Sequence, residues 1–104
     1  MATILSNNGK GVRLEVSGTS TRARIVGTGD SLVLSNGERF DVYVALGTST
    51  IEADLTSYLV LPGTKEDNIV LDPETHREFW DDPWIAAICA PGQSGVLTVH
   101  RVSR

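Results

Sequence analysis

The sequence predicts an all-β fold, an antiparallel β-sandwich or small barrel of about eight or nine short strands. Three observations predict it. Several short stretches alternate apolar and polar residues, the period of a half-buried strand. Ten glycines, nine serines and ten threonines stand in 104 residues against a single Met, a balance that favours strands and turns over helices. Turn-forming clusters recur at short intervals between the alternating stretches. The length fits one domain, residues 1–104, able to build a single core without staples.

The first alternating stretch is Val12, Leu14 and Val16 against Arg13 and Glu15; the second sets Ala23 and Ile25 against Arg22 and Arg24. Ser17–Ser20 and Gly27–Asp30 supply the turns that follow them. Phe40, Val42, Val44 and Leu46 then share one parity. Before them, Asn36-Gly37 is a strong two-residue hairpin signal, since both residues tolerate positive φ. The expectation is a hairpin of Ser31–Leu34 with Arg39–Leu46.

Ile51, Ala53 and Leu55 alternate with Glu52, Asp54 and Thr56, which reads as a further strand, although Ser49–Glu52 also fits a helix capping box. Tyr58–Leu61 is a strand stopped by Pro62-Gly63, and Asn68–Leu71 is a short one. Asp72-Pro73-Glu74 has the chemistry of a helix start, so at most one short helical turn is expected near residues 73–80, barred from continuing by Pro83. Trp84–Ala90 is apolar on both faces and predicts a central strand. Pro91–Gly95 turns the chain into Val96–Val102, with Leu97 and Val99 on one side and Thr98 and His100 on the other. These two strands read as a hairpin.

The net charge is −4 and the pI about 5.0, which argues against a nucleic-acid partner, because phosphate contact needs a basic surface. No apolar run approaches the length of a membrane span, and the first residues lack the form of a signal peptide. The single cysteine, Cys89, excludes an internal disulfide. Its apolar neighbours predict a buried, inert thiol. His76 and His100 stand in no recognisable catalytic spacing and read as structural. Gly27-Thr28-Gly29 lacks the Lys and the helix of a phosphate loop. No catalytic residue, cofactor site or metal site is expected.

Charge is unevenly placed. Residues 52–82 hold nine acidic residues and two basic ones, a net −7 against +3 for the rest. Calcium loops need carboxylates at alternate positions with a turn glycine, and that pattern is missing. A solvated acidic face is the simplest account. A second account uses the basic group Lys10, Arg13, Arg22 and Arg24: opposite charge on two parts of one chain permits contact with its own copies or with a charged scaffold.

The local anomaly is Phe79-Trp80-Asp81-Asp82-Pro83-Trp84, which holds half of the six aromatic residues. Three readings stand. The rings plug an open end of the sandwich; Phe79, Trp80, Asp81, Asp82 and Trp84 anchor a protein interface; or the two indoles and two carboxylates contact a sugar.

Four segments together carry a resemblance. They are Phe40–Gly47, Leu61-Pro62-Gly63, Trp84–Ala90 and Gly95–Val99. In this order they resemble small β-sandwich proteins of tailed-bacteriophage particles, of the kind that decorate or reinforce the capsid. The likeness spans residues 39–102. The acidic stretch Thr64–Pro83 is longer than the pattern has it, and the basic end His100–Arg104 lacks its customary glycine. The resemblance implies a non-enzymatic structural protein of the virion, assembled in the host bacterial cytoplasm. Its partners would be the major capsid protein or other virion proteins, with possible self-association and no nucleic acid or membrane. A carbohydrate-binding module on a tail or host-facing element is the alternative.

Overall fold

The computed structural model describes residues 11–27, 29–56, 59–61, 66–71 and 74–102. Among these residues eight strands form two four-stranded antiparallel sheets. They are β1 (Val12–Val16), β2 (Thr21–Arg24), β3 (Ser31–Asn36), β4 (Val42–Gly47), β5 (Leu59–Leu61), β6 (Glu66–Val70), β7 (Trp84–Ile88) and β8 (Gly95–Val102). Among the described residues one short helix, α1 (Arg77–Asp81), lies between β6 and β7. Sheet A has the order β1-β8-β3-β6 and sheet B the order β2-β7-β4-β5.

The pairings are nested: β1 with β8, β2 with β7, β3 with β6 and β4 with β5. This is one long hairpin rolled up, the connectivity of an eight-stranded jelly roll. Alternation sorts the side chains. Leu14 and Val16 of β1, Leu32 and Leu34 of β3, and Leu97 and Val99 of β8 point inward from sheet A. They meet Val42 and Val44 of β4 and Ile85 and Ala87 of β7. Both β7 and β8 are central strands, as the apolar character of Trp84–Ala90 predicts for the first of them.

Neither expected hairpin forms. β3 belongs to sheet A and β4 to sheet B, so the chain crosses between sheets at Asn36-Gly37. The reason is in the Asn36 side chain, which is 2% exposed. Its amide donates to the Phe40 carbonyl at 2.9 Å and its oxygen accepts the Glu38 N–H at 3.0 Å. These bonds bracket a crossover, and Gly37 is not among the glycines with positive φ. Likewise β7 and β8 lie on opposite sheets. The turn between them uses Gly92 at φ 89°, and the Glu38 carboxylate accepts the Val96 N–H at 3.1 Å. A Cβ at Gly95 would press on the end of the Glu38 side chain, which would have to swing aside.

Ile51–Leu55 is not a strand. Residues 48–56 form a strap beyond β4. The Ile51 N–H bonds the Thr48 carbonyl at 2.9 Å, the Ala53 N–H bonds the Ser20 hydroxyl at 2.9 Å, and Asp54 accepts the Thr56 N–H at 2.8 Å. Local turns and a side-chain acceptor take the groups that a ladder would have used. The strap reaches from the end of β4 to the start of β2, and Ala86, which alternation aims away from the core, is fully buried. The helix starts later than expected, with His76 as N-cap. The proposed cap Asp72-Pro73 and the basic residue Lys10 lie outside the described residues.

Two substitutions test the crossover. Asn36→Ala should lower stability by about 1–3 kcal/mol in denaturant titration, the cost of orphaning buried backbone groups. Gly37→Ala should change it by less than about 0.5 kcal/mol; a larger loss would mean that Gly37 adopts the positive φ of a hairpin turn.

Candidate functional site

The aromatic cluster sits at one end of the sandwich, where β2 leaves for β3, β6 leads into α1, and β8 ends. A single helical turn carries Phe79 and Trp80 to this opening. The Trp80 N–H bonds the His76 carbonyl at 3.1 Å, and the turn closes with the Asp82 N–H on the Phe79 carbonyl at 3.2 Å. Pro83 cannot extend it, and its carbonyl instead accepts the Ile25 N–H at 2.8 Å.

Trp80 is engaged on several sides. Its indole N–H donates to the Leu71 carbonyl at 2.9 Å. The Phe79 ring meets it edge-on, with centroids 4.9 Å apart and planes at 65°. The Arg101 guanidinium lies over its face, 4.2 Å from the centroid. Both rings are half-buried and pack against the core. Of the three readings of this segment, the plug describes what Phe79 and Trp80 do in the isolated chain.

Arg101 was not singled out by sequence reasoning. It shares the inward parity of Leu97 and Val99 on β8, and a charged residue at a core parity was the available signal. Arg101 donates from Nε to the Gly29 carbonyl at 2.8 Å and from Nη1 to the Gly27 carbonyl at 3.4 Å. Both glycines have positive φ, 103° and 127°. Burial, and then the nearby Arg24 charge, push the Arg101 guanidinium below its ordinary value; it stays charged at any working pH.

The predicted acidic and basic residues are partly brought together. Arg24 Nε bonds Asp82 Oδ1 at 2.7 Å. This Arg24 hydrogen bond is the main reason the Asp82 carboxyl lies below its ordinary 3.8. The nearby Trp84 N–H pulls in the same direction but makes no hydrogen bond, although it is shut off from solvent. Trp84 is half-buried on the outward face of sheet B, between Arg24 and Gly47. Arg22 shares that face and is exposed, as is Asp81. Arg13 instead lies exposed on the outward face of sheet A. The basic group is therefore split between opposite faces, and one of its members neutralises an acid of its own chain.

The remaining candidates are dispersed. Cys89 is fully buried, its thiol donates to the Gln93 carbonyl at 3.3 Å, and burial pushes it above 9.0. His100 lies on the outward face of sheet A beside Gly11, and His76 is exposed ahead of α1. An open depression of about 490 Å³ runs along Glu74–Phe79. Among the described residues no three His, Cys, Asp or Glu side chains gather as a metal-binding group, and no helix is long and apolar enough to cross a membrane. No family model, curated protein or solved structure matches the chain.

Trp80→Ala should lower stability by about 2–4 kcal/mol, measured by denaturant unfolding, because it empties the plug and leaves Arg101 uncovered. Asp82→Asn should cost far less, since Arg24 and Asp82 are 53% and 56% exposed in their side chains. The sign follows from the lowered carboxyl. The stability due to charged Asp82 is present above 3.8 and is lost as pH falls through the lower folded value. The Tm gap between wild type and Asp82→Asn should therefore close in strong acid. A gap that stays constant with pH would exclude the charged form as its source.

Proposed function

We propose that this chain is a non-enzymatic structural protein of a bacteriophage particle, a capsid-decorating or stabilising subunit bound to the major capsid lattice. The observation that carries the reading is the nested jelly-roll connectivity, a build found in virus shell proteins and also in lectins. It accompanies the resemblance in Phe40–Gly47, Trp84–Ala90 and Gly95–Val99. Architecture alone does not specify a role, so the surface must bear the rest of the argument. The exposed charges, Arg13 and Arg22 among them, lie on strands that the core holds rigid. Binding sites on strands are held more firmly than sites on loops, and a shell multiplies modest contacts by repetition.

The carbohydrate reading has less support. A sugar platform needs exposed aromatic rings; Trp80 carries Arg101 on one face and donates its N–H to Leu71, and Trp84 is half-buried with its N–H shut off from solvent.

Quantitative mass spectrometry of purified particles tests the proposal. The expected result is a copy number near that of the major capsid subunit or a simple fraction of it. A few copies per particle would move the protein to the neck or tail, and absence from particles would end the virion reading.

A further inference from the structure

Asn36-Gly37 pairs an amide side chain with the residue that hinders its own attack least. Glycine has no side chain to shield its backbone nitrogen and the widest backbone freedom. In an open chain the Gly37 nitrogen can therefore reach Asn36 Cγ. The nitrogen gives up its proton, a C–N bond forms, and the side-chain amide leaves as ammonia, which carries the proton away. Water then opens the cyclic imide. Cleavage of one C–N bond leaves aspartate, and cleavage of the other leaves isoaspartate, whose backbone runs through the side chain.

The fold separates the two reacting groups. Gly37 is exposed, and a Cβ there would meet nothing within 4 Å, so the nucleophile is open to solvent and base. Asn36 is the guarded partner at 2% exposure. Its nitrogen is held on the Phe40 carbonyl at 2.9 Å and its oxygen on the Glu38 N–H at 3.0 Å. Its backbone is extended at the end of β3, opposite Leu97 of β8. Closing the five-membered imide requires that backbone to rotate out of the strand and both side-chain bonds to break. Glu38 ties the same corner to β8 through the Val96 N–H at 3.1 Å.

We infer that Asn36-Gly37 is a self-modification site gated by the crossover, and that the modification is one-way. An aspartate at position 36 has no donor for the Phe40 carbonyl, and its charge stands where the chain excludes water. An isoaspartate adds a carbon to the backbone and displaces the pairing with Leu97. Either product carries one more negative charge than the −4 of the parent chain. A chain that has opened at this corner is thus marked and closes less well afterwards.

The test follows the amide-to-acid mass increase in the tryptic peptide Ile25–Arg39, in which Asn36 is the single Asn. The other Asn-Gly pair, Asn8-Gly9, lies outside the described residues and falls in a different peptide. At mildly alkaline pH the folded full chain should convert at least about tenfold more slowly than the same chain unfolded in urea. At low urea, within the folded baseline, the rate should stay nearly constant, as for an opening that exposes little surface. The converted protein, separated by anion exchange, should have a lower Tm than the parent. Gly37→Ala should slow the reaction in the unfolded chain and leave the Tm in place. Equal rates in folded and unfolded chains would overturn the gate, and so would a rate that climbs with urea in step with global unfolding. An unchanged Tm after conversion would overturn the one-way mark, and an unfolded chain that does not convert within Ile25–Arg39 would overturn the site.

Discussion

Every consecutive pair of strands except β4 and β5 lies on opposite sheets, and the rest of the molecule follows from that constraint. Each connection has to carry the chain across an end of the core. Both ends are therefore built from turns whose polar groups need partners. At one end Asn36 brackets the Phe40 crossover, the Ser17 carbonyl accepts the Cys89 N–H at 2.8 Å, and Glu38 caps Val96. At the other end the connections are longer, and Phe79 and Trp80 pack against the core there as a plug.

That plug is an unusual use of a cation. Placing Arg101 at an inward parity takes charge out of water, which is costly unless donors and charge are matched. The structure meets the donors with two loop carbonyls and meets the charge with the face of Trp80. Positive φ at Gly27 and Gly29 lets the loop present those carbonyls. Arg24 adds a like charge nearby, and Asp82 bonded to Arg24 offsets it. The acidic and aromatic segment, Arg24 of β2 and Arg101 of β8 thus form one unit. An aromatic placed there without Arg101 would expose its face, and Arg101 without the aromatic would be a half-buried charge.

Much of this was legible in the sequence, within limits that have physical causes. Alternation located Val12–Val16, the strand around Val42–Leu46 and the inward set Leu97 and Val99, because each strand buries one face whatever its partner is. Partners were not legible. Asn36-Gly37 is the composition of a hairpin, yet the same Asn side chain serves a sheet-to-sheet crossover equally well, and only burial at 2% exposure distinguishes the two uses. Ile51–Leu55 has a strand's alternation, but the Ile51 and Ala53 N–H groups bond the Thr48 carbonyl and the Ser20 hydroxyl instead of a neighbouring strand. In the candidate site, Trp80 could be seen as a plug or an anchor from sequence, whereas Arg101 could be found only by counting parity along β8. The separation of Arg13 from Arg22 and Arg24 depends on which sheet each strand joins, a long-range property that local patterns do not encode.

Open edges are the hazard of a two-sheet fold, since unpaired backbone groups accept almost any strand. Charge on an edge is the usual deterrent, and its sign determines what is deterred. On β1 the exposed Arg13 and Glu15 place charge of both signs along the edge strand. The strap over sheet B, anchored by Ala53 on Ser20, roofs part of that sheet's outward face, and Thr21 covers the Glu15 end of β1. A hydroxyl on a backbone carbonyl and a loop laid over a sheet face both take up places where another strand would otherwise add, so the same crossings that close the core also limit strand addition.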